Sequence, residues 1–153
     1  MAAIRYQPFF RPADKPGFSY DDDPPSKRVY LTDSEDDART WVDFRPVRRT
    51  PDEPMDLALE ECHGELSQLS DGTFVLTYDH RYPYTRQQVL ARVSRDQGQT
   101  WKPDVYHLTR PGGTVLGSST KGVGSGYASS VVLPDDTIVT MTGAGTCVRW
   151  RVG

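Results

Sequence analysis

Apolar and polar residues alternate along short runs of this chain, and those runs come in matched pairs. KRVYLTD (27–33) and VLARVSRD (89–96) each carry strand-like alternation. ELSQLSDGTFVLTYD (65–79) and SSVVLPDDTIVTMTG (129–143) each consist of two apolar-rich runs split by Asp-Gly or Asp-Asp, the pattern of a β-hairpin. The second hairpin begins 64 residues after the first. The pattern predicts an all-β chain of short antiparallel strands.

A second pairing marks the turns. SEDDARTW (34–41) and SRDQGQTW (94–101) share the spacing Ser, Asp, small residue, Thr, Trp at an offset of 60, with Ala38 where the second copy has Gly98. Each follows one of the alternating runs. The repeating unit is therefore a hairpin, a third strand, an eight-residue turn and a fourth strand. Four short strands recurring roughly every 60 residues suit the blade of a β-propeller better than a sandwich. Within the turn, Ser34, Asp36 and Thr40 of the first copy, and Ser94, Asp96 and Thr100 of the second, are suited to bonding backbone groups. Gly98 permits a positive φ, and Trp41 and Trp101 are suited to covering a blade edge. This predicts a structural clasp, not a catalytic role for Asp36 or Asp96.

A closed propeller has at least about four blades. At this spacing, 153 residues hold about two to three. The expected content is a complete blade from Cys62 to Arg110, most of another from Gly126 onward, and the last two strands of a preceding one between Lys27 and Thr50. Residues 1–26 are expected to be irregular or remnants of earlier strands, with a partial propeller over 27–153. Closing the ring would then require further N-terminal blades or self-association.

Composition narrows the remaining chemistry. The net charge of −3 and dispersed Lys and Arg argue against a nucleic-acid partner. Lacking a long apolar run or a signal-peptide pattern, the chain reads as soluble with no membrane partner, and as cytoplasmic if complete. A mean hydropathy of −0.61 implies a thin or shared core. Cys62 and Cys147, the two cysteines, are expected to be buried thiols, neither a disulfide nor a metal site. No metal or cofactor is expected. The glycines of GGTVLGSSTKGVGSG (112–126) lack the strand-to-helix setting of a phosphate loop and read as an inter-blade loop.

The two turns match the Asp box, S-x-D-x-G-x-T-W, and with it the chain from residue 27 onward resembles the sialidase superfamily of six-bladed propellers. Segments outside the boxes add to the resemblance. Glu61-Cys62 precedes HGELSQLSDG, Arg81 closes TFVLTYDHR, and Tyr127 opens GYASSVVLPDD. The resemblance implies a retaining exo-glycosidase acting on a terminal acidic sugar, with Tyr127 as nucleophile, Glu61 as its base and Arg81 as a contact to the substrate carboxylate. No counterpart is found for the family's first arginine or its aspartate acid/base, and Glu61 and Tyr127 fall in adjacent blades where the family has one between.

The internal alignment places Tyr127 and His63 at equivalent entrances to innermost strands, where propellers keep their pockets. Glu65, Asp79, His80 and Tyr82 join them as candidate binding residues. Bland readings stand beside these: Tyr127 as a packed rim aromatic, Glu61 as a solvated charge beside Glu60, and Arg81 as a loop partner of Asp79. On the bland readings the propeller would be a non-catalytic carbohydrate-binding or interaction module.

Overall fold

The computed structural model describes residues 1–6, 28–47, 62–80, 88–101, 105–109, 128–142, 145 and 147–153; for Arg5, Tyr6, Arg28, Cys62 and His80 the backbone alone is described. Among these residues there is no helix, and so none long and apolar enough to cross a membrane. Ten strands form three antiparallel sheets in chain order. The first sheet contains β1 (Ala2–Tyr6), β2 (Arg28–Asp33) and β3 (Val42–Pro46). The second contains β4 (Cys62–Gln68), β5 (Phe74–His80), β6 (Gln88–Ser94) and β7 (Tyr106–His107). The third contains β8 (Ser129–Val132), β9 (Ile138–Met141) and β10 (Cys147–Trp150).

Within each sheet every strand pairs with its neighbour in sequence, so the chain advances by simple meanders. Of the two readings of residues 1–26, irregular or remnants of earlier strands, Ala2–Tyr6 fits the second: β1 pairs with β2 from Ala2↔Thr32 to Tyr6↔Arg28 and gives the first sheet a third strand. AAIRY lacks the alternation and bounding turn that made the other strands legible.

The second sheet is buried on both faces. Alternation along β5 and β6 sends Leu76, Tyr78 and Leu90 toward the first sheet, where they meet Val29, Leu31 and Val47 together with Trp101. The intervening residues Val75, Val89, Ala91 and Val93 point the other way, onto Ile138 and Ala128, with Val132 and Trp150 alongside. At roughly 25 cal/mol per Å² of apolar surface removed from water, these two layers are the main source of stability. The thin core expected from composition is thus divided between two sheet-to-sheet interfaces. At the inner edges β4 lies between β1 and β8, so the leading strands of the sheets sit side by side.

Both hairpins of the second and third sheets turn in the same way. Gly72 donates to the Leu69 carbonyl (3.0 Å) and Asp136 to that of Leu133 (2.9 Å). Gly72 has φ 85° and Asp136, in the corresponding place, φ 59°. Asp136 accepts there from the backbone N–H (2.9 Å) and the hydroxyl of Ser70, tying the two turns together and supporting a conformation that a side chain ordinarily avoids. Each turn also has an Asp–Arg pair, Asp71 with Arg95 (3.6 Å) and Asp135 with Arg151 (2.5 Å).

The two eight-residue turns adopt one geometry. Ser34 Oγ donates to Asp36 Oδ1 (2.9 Å) and accepts from Ala38 N (2.8 Å), while Asp36 accepts from Thr40 N (2.8 Å) and Thr40 Oγ1 (2.6 Å). Ser94, Asp96, Gly98 and Thr100 repeat the same four bonds. Hydrogen bonds led by that of the Thr40 hydroxyl lower the Asp36 pKa to about 2. Around Asp96, burial opposes ionisation, but bonds from Thr100 and Ser94 outweigh it and the pKa is also lowered.

Ala38 and Gly98 are left-handed, at φ 65° and 81°. Ala38 carries a Cβ in a conformation that costs an L-residue about 1–2 kcal/mol. Ala38→Gly is accordingly expected to stabilise the chain by roughly 0.5 kcal/mol after the added freedom of the unfolded chain, and Gly98→Ala to destabilise it by about 1 kcal/mol. Urea denaturation of both variants checks the pair; opposite signs are the expected result.

Cys147 differs from the sequence expectation. It is an exposed free thiol, because it stands on the outer face of the third sheet, where no further layer of described residues covers it.

Candidate functional site

The first strand of the second sheet enters its ladder irregularly. Cys62 pairs with Asp79 and Glu65 with Thr77, so three steps along β4 match two along β5: a bulge with one extra residue. His63, in the bulge, has φ 53°, a left-handed conformation for a non-glycine residue. The sequence contained a signal for this in His63-Gly64, since a lone glycine inside a strand pattern marks a bulge or a close backbone approach. Gly64 is such an approach: a Cβ there would stand 2.6 Å from Val29 Cγ1 and 3.1 Å from Leu76 Cδ1.

The bulge aims His63 at Asp79. His63 Nδ1 lies 3.0 Å from Asp79 Oδ1 and 3.4 Å from Oδ2, and the Asp79 side chain is 0% exposed. A buried carboxylate is costly unless it is paired or hydrogen-bonded, and the imidazole supplies a partner. The carboxylate in turn fixes the ring's orientation and favours the tautomer with hydrogen on Nδ1. Strain held by a buried polar contact is the arrangement that clusters at ligand sites.

Glu65 has a different setting. Its carboxylate reaches the third sheet, accepting from Ser130 N (2.8 Å) and lying 3.5 Å from the Ser129 hydroxyl. Ser130 Oγ continues the link to Thr77 Oγ1 (3.1 Å) and Thr140 Oγ1 (2.9 Å), and Trp150 Nε1 donates to Thr140 Oγ1 (3.0 Å). Glu65 therefore joins β4 to β8 through a chain of hydroxyls in the interface. Sequence reasoning singled out its charge but contained nothing about this cross-sheet use.

Of the predicted site residues, the structure brings His63 and Asp79 together and places Glu65 two residues along β4, turned to the next sheet. Glu61, Arg81, Tyr82 and Tyr127, and the side chain of His80, lie outside the described residues. Arg92 is buried on the face toward the first sheet, where its Nε donates to the Tyr78 hydroxyl (3.2 Å). Among the described residues no group of three or more His, Cys, Asp or Glu is arranged to hold a metal ion.

Neither protein-family models, nor curated proteins, nor solved structures gave a match to this chain.

Proposed function

We propose that the three sheets are consecutive blades of a β-propeller of the sialidase type, and that the entrance of β4 is the mouth of a pocket in which a terminal acidic sugar is bound and hydrolysed. The observation that carries this reading is the bulge at His63, a strained residue held by the buried carboxylate of Asp79 at the leading end of an inner strand. Two further features support it. The two turns share the geometry expected of an Asp box in its structural role, and the inner strands β1, β4 and β8 are adjacent, as strands around a common axis are.

On this reading chain continuity brings the candidate chemistry to one end of the sheets. Glu61 precedes Cys62, whose ladder partner Asp79 is two residues before Arg81, and Tyr127 is two residues before Ser129, which faces Glu65. Glu61 takes the phenol proton of Tyr127, whose ordinary pKa near 10 makes it a weak nucleophile unaided. The phenolate then attacks the anomeric carbon as the glycosidic C–O bond breaks, the departing oxygen keeping the bond electrons and taking a proton from water; a second water then cleaves the tyrosyl–sugar bond with retained configuration overall, and Glu61 returns its proton to the phenolate. Arg81 forks onto the sugar carboxylate, and His63 stands at the same entrance as a candidate binding residue.

A fluorogenic sialoside tests the proposal. Turnover by the purified chain is expected, with Tyr127→Phe lowering kcat by at least about 100-fold while folding is retained. Binding of a sialylated glycan without turnover would replace hydrolysis by a lectin-like role. A Tyr127→Phe variant as active as the parent would overturn the nucleophile assignment.

A further inference from the structure

Two carboxylates tie the second sheet to the third, at different points along their interface. At the turns Asp136 reaches back from the third sheet and accepts from the Ser70 N–H (2.9 Å) and hydroxyl. Nearer the entrance the direction is reversed: Glu65, half-buried on β4, accepts from the Ser130 N–H (2.8 Å) and lies 3.5 Å from the Ser129 hydroxyl. β8 is an end strand of its sheet among the described residues, so a backbone N–H on its outer edge needs an acceptor from elsewhere. Glu65 supplies it.

The tie at Glu65 holds a strand that is already anchored. Ser130 Oγ bonds Thr77 Oγ1 (3.1 Å) and Thr140 Oγ1 (2.9 Å), and both threonines are wholly buried. Ser130 is therefore gripped from two sides, by its hydroxyl in the interface and by its N–H at Glu65, which leaves β8 little freedom to slide or rotate there. On β4, Glu65 pairs with Thr77 where the ladder resumes after the bulge, two residues from the strained His63. One short stretch of β4 thus carries both the bulge and the hold on the next sheet. This matters to a reaction whose parts are divided between sheets: His63 and Arg81 belong to the second, while Tyr127 stands two residues before Ser129, at the start of the third.

We infer that Glu65 is a positioning residue: through Ser130 it sets the start of β8 against the bulge of β4, and with it the reach of the nucleophile toward a sugar held by the second sheet. The inference rests on the sialidase reading above. Glu65 makes no bond to the sugar and moves no proton; its carboxylate is occupied by the serines of the third sheet. A misplacement of about 1 Å between reacting groups can cost on the order of 100-fold in rate. Binding through the second sheet does not depend on where β8 starts, so the loss of Glu65 falls on the chemical step and not on affinity.

Turnover of the fluorogenic sialoside by the full chain separates positioning from mere adhesion of the sheets. Glu65→Ala is expected to lower kcat by about 10- to 100-fold and to leave KM within about threefold, with circular dichroism unchanged. Glu65→Gln keeps an oxygen that accepts from the Ser130 N–H and is expected to recover most of that loss. Asp136→Gly cuts the tie at the turns, where glycine suits the left-handed backbone, and is expected to leave kcat within about twofold. In a Tyr127→Phe background, Glu65→Ala is expected to cost less than about twofold further, because no nucleophile is left to place. Four results overturn the positioning role and leave the hydrolase reading intact: a Glu65→Ala kcat equal to the parent's, a Glu65→Gln variant no better than Glu65→Ala, an Asp136→Gly loss as large as that of Glu65→Ala, or a Glu65→Ala loss that persists in full without the Tyr127 hydroxyl. A parent chain without turnover removes the hydrolase reading, and the positioning role with it.

Discussion

Replacing Trp101 with alanine is expected to destabilise the chain by about 3–5 kcal/mol, whereas the same change at Trp41 costs its intrinsic folding less than about 1 kcal/mol. The two tryptophans end identical turns, so the difference isolates the neighbour each one has. Trp101 is among the largest fully buried side chains, packed in the cluster that holds the first sheet on the second, and its removal leaves a void that close-packed strands cannot refill. Trp41 stands on a face with no described layer over it. The indole N–H of Trp101 is buried with no hydrogen-bond partner, so Trp101→Phe keeps most of the apolar contact while removing an unsatisfied donor. It is expected to cost under about 1.5 kcal/mol. Urea denaturation separates these effects; equal losses at Trp41 and Trp101 would contradict the assignment of inner and outer layers.

The second large effect is expected at the bulge. Asp79→Ala should cost about 2–4 kcal/mol, because it removes a wholly buried carboxylate and strips His63 of the contact that holds a left-handed backbone. Asp79→Asn keeps the shape and an acceptor and should cost roughly 1 kcal/mol. At the partner position the two smallest residues part company. His63→Ala loses the contact and retains the strain, while His63→Gly loses the contact and relieves the strain. Glycine at 63 should therefore leave the chain about 1 kcal/mol more stable than alanine does. A double-mutant cycle between positions 63 and 79 should give a coupling of at least about 1 kcal/mol. Additive losses would mean that His63 and Asp79 act independently, and with them would go the positioned dyad on which the proposed pocket rests.

How much of this was legible beforehand follows from the range of each interaction. The turns at Ser34 and Ser94 are closed by side chains reaching two to four residues along the chain, so spacing alone exposes them. The hairpins around Asp71 and Asp135 are equally local, each side chain accepting from the N–H two residues on. His63 and Asp79 were singled out as neighbours of a common entrance, but the bulge that joins them arises from the mismatch of two strands. Glu65 shows the limit: its charge was noticed, while its partner Ser130 belongs to another sheet.

By itself, then, the sequence determined much of what is closed within a few residues: the alternation of the strands beyond β1, the paired eight-residue turns with Gly98 left-handed, and the repeat that orders them. Tertiary structure alone decided which copy of a repeated motif is core and which is surface. Trp41 and Trp101 occupy the same place in the same motif, Thr77 and Met141 the same place in equivalent hairpins, yet one of each pair is buried and the other exposed. Burial is a property of the layer opposite, and that layer comes from a part of the chain that neither motif contains.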